Sequence, residues 1–102
     1  MAIERTAHSL QALLIDAASQ FAVLSAPMRL HVISSLCHSE KNVGQLLADV
    51  PTTQPNLSQH LATLYSAGFV RKRRQGNQIY YAIADERIVR ICQLMCGQDG
   101  TA

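Results

Sequence analysis

Three cysteines offer the most reactive chemistry in this 102-residue sequence: Cys37, Cys92 and Cys96. An odd number of thiols does not suit a framework of disulfides, and nothing in the sequence indicates secretion. We therefore expect free thiols in a reducing cytoplasm, where they serve as core, metal-binding or redox residues.

Cys92 and Cys96 are four residues apart, so on a helix their Cβ atoms would lie about 5–6 Å from each other. A plain disulfide prefers a Cβ separation of about 3.8 Å, and direct bonding of these two thiols would be strained. A bridge that contains extra sulfur, or a soft ion with bonds of about 2.3 Å to sulfur, would span the gap better. The pair is therefore a candidate site for reactive sulfur or for a soft ion.

A second set of residues suits a nucleic-acid duplex. Residues 71–74 are consecutive cations and hold four of the nine lysines and arginines. Just before them, residues 54–67 read as a helix without a charged side chain. Its outer face carries short polar groups, and glutamine and asparagine suit the adenine edge in the major groove. A basic segment beside this helix would add affinity for phosphates regardless of sequence.

Composition limits the class of protein. With 48% hydrophobic and 16% charged residues, the chain is one small globular domain rather than a disordered segment. No apolar run approaches the roughly 18–20 residues of a membrane span, and the N-terminus does not resemble a signal peptide. We expect a domain over residues 1–97, a flexible tail over 98–102 and no contact with a membrane. An enzyme is not expected, because the neighbours Cys37 and His38 lack the orienting third group that a nucleophile needs.

Hydrophobic periodicity predicts the elements that position these groups. Steps of four and three predict a first helix with a seam of apolar residues: Ile3, Ala7, Leu10, Leu14, Ala17, Phe21 and Leu24. We interpret the seam as a dimer interface, with packing inside the domain as the alternative. Ser25 is the expected N-cap of a second helix, which has Cys37 at its end on the inner face.

A third helix is predicted over residues 43–50, and a fourth from its expected N-cap Thr53 to Gly68. The side chains that the fourth helix would bury are Leu57, Leu61 and Leu64. Beyond Gly68 the period changes to two, which predicts a β-hairpin with a turn at 75–78. A last helix begins at Asp85 or Glu86 and has an apolar face formed by Ile88, Ile91, Cys92 and Met95.

This order of elements is typical of a winged helix-turn-helix, a mainly α fold with a β-hairpin wing. The residues expected to approach bases are Gln54, Asn56, Ser58 and Gln59. His60 is expected close to the DNA backbone, either as a phosphate contact or as a partly buried helix residue. The wing residues expected to hold phosphates or to reach the minor groove are Arg71, Arg73, Arg74 and Asn77.

Five stretches resemble the ArsR/SmtB family of repressors in order and spacing: LSAPMRL at 24–30, VGQL at 43–46, NLSQHL at 56–61, AG at 67–68 and YY at 80–81. Within that family, residues 52–60 and 85–96 are most similar to the sulfur-oxidation repressors called SoxR. The resemblance implies a cytoplasmic homodimer joined through its first and last helices. It also implies repression at operator DNA, without a cofactor, of genes for sulfur oxidation or sulfide detoxification.

Metal-sensing members of that family use recurrent sites that this sequence lacks. Residues 42–44, where a Cys-x-Cys element is expected, are Asn, Val and Gly, and residues 85–87 offer no imidazole. The remaining histidines outside the fourth helix are scattered: His8, His31 and His38. We therefore expect no zinc- or cadmium-type metal site.

Persulfide-sensing members of the family pair one cysteine of the second helix with one of the last. Cys37 lies about a turn later, and Cys96 about a turn earlier, than those positions, so the paired thiols stay open. Reactive sulfur is the first hypothesis for the effector, and arsenite or antimonite held by all three thiolates is the second. Two further alternatives are small apolar cysteines packed in an interface and a winged-helix module that binds a protein instead of DNA.

Overall fold

Five helices and three strands make up the computed structural model, which describes residues 2–97 and the side chains of residues 9–97. In chain order they are α1 (Ala2–Leu24), α2 (Pro27–Leu36), β1 (Lys41–Asn42), α3 (Val43–Asp49), α4 (Gln54–Ser66), β2 (Val70–Gln75), β3 (Gln78–Ile83) and α5 (Glu86–Cys96). The predicted winged helix-turn-helix is confirmed, with α3 and α4 as the helix-turn-helix and β2 and β3 as the wing. The tail predicted for residues 98–102 lies outside the described residues.

The hydrophobic core lies between α2, α3, α4, the start of α5 and the base of the wing. Its most completely buried side chains are Val32, Ile33, Leu46, Val50, Leu57, Leu61, Leu64, Phe69 and Ile88. The three leucines predicted to face inward from α4 are all among them, so the periodicity of this helix is confirmed. Burial of each such side chain contributes about 1.5–3 kcal/mol, which holds α4 with its opposite face outward.

Local residues set both ends of α4. The Thr53 hydroxyl accepts a hydrogen bond from the backbone N–H of Asn56 at 3.3 Å, as expected of an N-cap. Pro55 is tolerated in the first turn, where its missing N–H costs no helical hydrogen bond. The helix ends just before Gly68, whose φ of 80° is a left-handed conformation that favours glycine.

Two expectations at the ends of α2 are wrong. Ser25 is not the N-cap, because its hydroxyl donates to the carbonyl of Ala22 at 2.8 Å and so closes the end of α1. Ala26 is the N-cap instead and makes no side-chain hydrogen bond. Cys37, expected on the inner face, is the C-cap residue and has an exposed side chain. The buried face of α2 ends one residue earlier, at Leu36.

A third strand joins the predicted hairpin. β1 is only two residues long and pairs antiparallel with β3, with Lys41 opposite Tyr81 and Asn42 opposite Tyr80. The sheet order is β1-β3-β2, so the second strand of the hairpin is central. Asn42 also caps α3, since its side chain and that of Gln45 each accept the other's backbone N–H at 2.9 Å. The wing is therefore joined directly to the start of the helix-turn-helix.

The Lys41 side chain links α2, β1 and α3. Its Nζ donates to the carbonyl and hydroxyl oxygens of Ser35 at 2.8 and 3.0 Å, and to the Asp49 carboxylate at 2.8 Å. The Ser35 hydroxyl donates to the same carboxylate at 2.6 Å. These hydrogen bonds, that of Lys41 foremost, hold the pKa of Asp49 below its ordinary value of 3.8.

The replacement Asp49→Asn is expected to lower the free energy of unfolding at neutral pH, because Lys41 and Ser35 would lose their carboxylate partner. A carboxyl group with a lowered folded-state pKa stabilises the protein above its unfolded-state pKa. That stabilisation is lost as the pH falls below about 3.8 and through the folded-state pKa. Urea denaturation across a pH series measures this. The free energies of unfolding of wild type and variant should converge in acid. A difference between these free energies that does not change with pH would contradict the prediction.

α1 and α5 leave a broad apolar surface exposed on the described part of the chain. Its large side chains, each more than half exposed, are Leu10, Leu13, Leu14, Ile15, Phe21, Leu94 and Met95. The predicted seam of α1 contributes to this surface, and its first members, Ile3 and Ala7, lie outside the described side chains. No single described helix has both the length and the apolar composition of a membrane span. The stretches Ser9–Leu24 and Pro27–Leu36 have that length and composition only when they are taken together, and the two helices are bent by 87° relative to each other.

Candidate nucleic-acid interface and thiol site

The outer face of α4 is uncharged and exposed. The side chains expected to approach bases are all exposed on its first two turns: Gln54, Asn56, Ser58 and Gln59. Thr63 continues the face one turn later, with its hydroxyl donating to the Gln59 carbonyl at 3.1 Å. Because the opposite, leucine-bearing face is buried, these polar groups are held toward solvent. The arrangement can offer hydrogen-bond donors and acceptors to base edges.

His60 lies at the edge of that face and is half-buried. Its Nδ1 is 3.2 Å from Nη1 of Arg29, and Arg29 Nε donates to the carbonyl of Val23 at 2.6 Å. The expectation of a partly buried helix residue is therefore met, while a phosphate contact by His60 stays a prediction. Arg29 is missing from the predicted site residues, because an arginine 31 positions away carries no local pattern.

The four cations of β2 alternate between the two faces of the wing. Arg71 and Arg73 are on one face and Lys72 and Arg74 on the other, because successive side chains of a strand point in opposite directions. All four side chains are exposed. Asn77 is also exposed, in the turn between β2 and β3. The four consecutive cations are therefore two pairs, one on each face of the wing, with different neighbouring residues.

Arg71 and Arg73 already have partners within the chain. Arg73 forms a two-pronged ion pair with Glu40, with 2.9 Å between Nε and Oε1, and its guanidinium lies 5.0 Å from the centre of the Tyr80 ring. Hydrogen bonding to Arg73 holds the pKa of the Glu40 carboxyl below its usual range. Arg71 Nη1 donates to the carbonyl of Ile83 at 2.6 Å. Glu40 is thus a counter-charge that the sequence pattern does not reveal.

Lys72 and Arg74 have no carboxylate partner in the part of the chain that the structure describes. Lys72 Nζ lies 4.4 Å from the centre of the Tyr65 ring, which places this cation against the last turn of α4. Arg74 Nε donates to the carbonyl of Gly76 at 3.2 Å, at the tip of the wing. This face therefore presents two cations, of which Lys72 lies against α4 and Arg74 lies at the tip of the wing. Lys72 was expected to attract phosphates only as part of the basic segment 71–74, and strand alternation is the signal that identifies it individually.

Two of the three thiols, those of Cys92 and Cys96, lie where α1, α2 and α5 meet, and Cys37 is at the C-terminal end of α2. Cys92 is half-buried, while Cys37 and Cys96 are exposed. Cys92 and Cys96 line a groove of about 440 Å³ whose other walls are apolar: Phe21, Leu24, Leu30, Ile91, Leu94 and Met95. Burial raises the pKa of the Cys92 thiol, and the nearby Cys96 and Cys37 raise it further. Since the thiolate is the nucleophile, the two exposed thiols are better placed to react first.

The possible metal ligands of the chain are cysteine, histidine and carboxylate side chains. Among the described side chains of residues 9–97, no group of three or more Cys, His, Asp or Glu is placed to hold a metal ion. His31 and His38 are exposed, and His8 lies outside the described side chains. A site of three thiolates for arsenite would require the cysteine side chains to move from the positions described.

The family described as "Bacterial regulatory protein, arsR family" matches residues 26–72 of the chain. The match runs from just before α2 into β2 and so includes the whole helix-turn-helix. It stops short of the thiols of α5.

Curated relatives are similar over longer stretches of the chain. The biofilm growth-associated repressor of Agrobacterium fabrum is 38% identical over 72 residues, 71% of this chain and 62% of that protein. The repressor SmtB of Mycobacterium tuberculosis is 34% identical over 79 residues, 76% of this chain and 58% of that protein. The biofilm growth-associated repressor of Xylella fastidiosa is 31% identical over 91 residues, 85% of this chain and 80% of that protein. The chain spans about three fifths of the length of the first two relatives.

Solved structures have the same fold. NolR from Sinorhizobium fredii superposes with a TM-score of 0.80 and 29% identity, covering 87% of this chain and 89% of that chain. A homodimeric winged helix-turn-helix DNA-binding domain from Mycobacterium bovis, a possible ArsR-family regulator, superposes with a TM-score of 0.73 and 30% identity. It covers 83% of this chain and 79% of that chain.

Proposed function

Because the chain belongs to the ArsR/SmtB family of bacterial regulatory proteins, we propose that it is a homodimeric repressor of transcription that binds palindromic operator DNA. The observation that carries this proposal is the outer face of α4, which exposes uncharged polar side chains beside a strand with four exposed cations. Readout of base edges and affinity for phosphates require these two kinds of surface next to each other.

In the proposed complex, the N-terminal half of α4 enters the major groove. The side chains that would read bases are Gln54, Asn56, Ser58 and Gln59. On the wing, Lys72 and Arg74 would hold phosphates directly, since Arg71 and Arg73 are already engaged within the chain. Asn77, at the wing tip, would reach the minor groove. The engaged arginines would add only a weaker attraction to the phosphates.

The dimer is proposed to form through α1 and α5. Both helices expose large apolar side chains on the described part of the chain, among them Leu14 and Met95, and an exposed apolar patch of this kind marks an interaction surface. The M. bovis relative is homodimeric. A twofold axis would present two α4 helices to the two halves of a palindrome. Sedimentation equilibrium tests this, and a monomer at concentrations that saturate DNA would contradict it.

Fluorescence anisotropy with a duplex from the chain's own promoter tests DNA binding. We expect tighter binding to this duplex than to a shuffled duplex of the same length. Both affinities should fall as salt rises, because phosphate contacts release counterions. Absence of binding to both duplexes at low salt would contradict the proposal and favour a winged-helix module that binds a protein.

The replacement Glu40→Gln is expected to raise the affinity for all duplexes a few-fold. It removes the partner of Arg73 and one negative charge beside the wing, so Arg73 becomes available to phosphates. With two protomers, the plot of log affinity against log salt should become steeper by about two units. Glu86→Gln makes the same change of charge at the start of α5 and is the control. Equal gains from the two variants would contradict a specific role for Glu40.

For the effector, we propose a low-molecular-weight persulfide or polysulfide that acts on the cysteines. Support comes from an exposed Cys96 and a half-buried Cys92 that line the same apolar groove. Cys37 is close enough to contribute to the raised pKa of the Cys92 thiol. The similarity of residues 52–60 and 85–96 to the sulfur-oxidation repressors adds to it. The regulated genes would then serve sulfur oxidation or sulfide detoxification.

The proposed reaction begins at an exposed thiolate, that of Cys96 or Cys37. It attacks the outer sulfur of a persulfide R–S–SH; the S–S bond breaks, the protein gains a persulfide, and the thiol R–SH leaves with a proton. A second R–S–SH converts the Cys92 thiolate to a persulfide in the same way. The outer sulfur of that persulfide then attacks the cysteine sulfur of the first one, which forms a trisulfide between the two cysteines and releases hydrosulfide. A trisulfide spans thiols four residues apart with less strain.

A cross-link at this place is expected to move α5 against its neighbours. The groove of Cys92 is also lined by Phe21 and Leu24 of α1 and by Leu30 of α2. A shift of α5 would therefore change the spacing of the two α4 helices in the dimer. A coupling of about 1–3 kcal/mol, or about 5- to 150-fold in affinity, is enough to release an operator.

Mass spectrometry of the reduced protein tests the effector after separate treatment with glutathione persulfide, hydrogen peroxide and arsenite. We expect a cross-link that retains extra sulfur with persulfide alone. The variants Cys37→Ser, Cys92→Ser and Cys96→Ser, assayed for release of DNA, identify the paired thiols. Release by persulfide in all three variants would contradict the proposal. A plain disulfide with either oxidant would indicate a general redox switch, and a retained arsenic adduct would indicate metalloid sensing.

A further inference from the structure

We propose that Arg29 is a positioning residue that holds the His60 ring with its Nε2–H available as a donor to a DNA phosphate. The inference rests on the proposed DNA binding and adds a residue of α2 to it. It starts from two hydrogen bonds of the Arg29 side chain. Nε donates to the Val23 carbonyl at 2.6 Å, and Nη1 lies 3.2 Å from His60 Nδ1. Two of the three residues belong to helices outside the helix-turn-helix.

The chemistry of the contact determines where the imidazole proton lies. A guanidinium offers five N–H donors and no acceptor. The contact at 3.2 Å is therefore a hydrogen bond only when His60 Nδ1 accepts with its lone pair. A neutral imidazole with an accepting Nδ1 carries its one proton on Nε2, at the other end of the ring. Arg29 thus selects one of the two neutral tautomers.

A second hydrogen bond of Arg29 fixes the orientation of the guanidinium that selects this tautomer. Nε is held by the carbonyl of Val23, in the last turn of α1, so the guanidinium plane cannot rotate freely. Both Arg29 and His60 are half-buried, which restricts their rotamers further. A lysine has a single ammonium on a flexible stem and does not reproduce a planar fork. Lysine at position 29 would therefore keep the charge but lose the pair of hydrogen bonds that holds the His60 ring.

His60 lies at a position from which its side chain can donate a hydrogen bond to the phosphate backbone of DNA. It lies four residues after the exposed Asn56, so on a helix the two side chains are neighbours. Among the described hydrogen bonds of the chain, His60 takes part only through Nδ1, which leaves Nε2–H unused. A neutral donor to a phosphate adds affinity without reading sequence and without displacing a counterion. Its loss is thus distinguishable from the loss of a wing cation.

Long-range ¹H–¹⁵N correlation spectra of the free wild-type protein give the first test. At mildly alkaline pH, we expect the pattern of the Nε2–H tautomer for His60. The exposed His31 is the matched control and should show the averaged pattern of a free imidazole. In Arg29→Lys, the His60 pattern should move toward that average. A wild-type spectrum in which Nδ1 carries the proton would overturn the inference, whatever the variants do.

DNA binding gives the second test. His60→Ala should weaken binding to operator and to shuffled duplex alike, by about fivefold for each protomer, with an unchanged salt slope. Arg29→Lys should lose a similar factor, and the double variant should lose no more than His60→Ala alone. Additive losses, or a salt slope lowered by about 0.9 per protomer in His60→Ala, would overturn the inference. Failure of the wild type to bind any duplex would instead overturn the proposed function, which separates the two results.

Discussion

Alanine in place of both Lys72 and Arg74 is expected to lower the affinity for operator and for unrelated duplex alike, by about a hundredfold per dimer at moderate salt. The two side chains share one face of β2, where Lys72 lies against α4, and both lack a carboxylate partner among the described residues. A dimer would lose four phosphate contacts. The slope of log affinity against log salt should then fall by about 3.6 units, at about 0.9 for each contact.

Arg73→Ala is the matched control for this variant. It removes a cation from the same strand, but one that already forms an ion pair with Glu40 and lies against the Tyr80 ring. We expect a loss of affinity well below that of Arg74→Ala and a small change in salt slope. Anisotropy titrations at several salt concentrations measure both quantities. Equal slopes for Arg73→Ala and Arg74→Ala would show that the two faces of the wing bind DNA equally.

Gln59→Ala is expected to lower sequence discrimination while leaving general affinity for DNA intact. Gln59 is exposed in the second turn of α4, and its amide can form two hydrogen bonds to the edge of one adenine. Loss of such a pair costs about 1–3 kcal/mol in each half-site. The operator contains two half-sites, so the combined loss is about 2–6 kcal/mol.

The ratio of operator to shuffled-duplex affinity is the quantity that isolates this effect. It should fall for Gln59→Ala, whereas the affinity for the shuffled duplex and the salt slope should stay close to wild type. Ser66→Ala, in the last turn of the same helix, is the control and should change neither quantity. Equal losses on both duplexes for Gln59→Ala would contradict a base contact and indicate a backbone contact instead.

Helix α4 is the part of the molecule that was most accessible to prediction. Its N-cap Thr53, its three buried leucines and its end before Gly68 are local features, and the structure contains all of them. A helix with one buried face must expose the other, so the exposure of the four polar side chains followed from the periodicity. The hairpin of the wing followed from the change of period in the same way.

The ends of α2 show where local patterns are insufficient. Serine before proline is a common start of a helix, yet the Ser25 hydroxyl donates to the Ala22 carbonyl because α1 ends immediately before it. Cys37 follows the apolar spacing of α2, yet the helix ends at Leu36 and the thiol is exposed. Spacing predicts the face of a residue only while the helix continues.

The sequence by itself determined the order of the helices and of the hairpin, the buried face of α4 and the position of the charged and polar groups along the chain. Only the tertiary structure decided which of those groups are free. It paired Arg73 with Glu40 across 33 positions, Arg29 with His60 across 31, and the two residues of β1 with β3. Periods and caps arise from neighbours within a few residues, whereas these contacts depend on how separate elements pack. A cation in a sequence is therefore a candidate for DNA binding, and its partner in the folded chain decides how much of its charge is available.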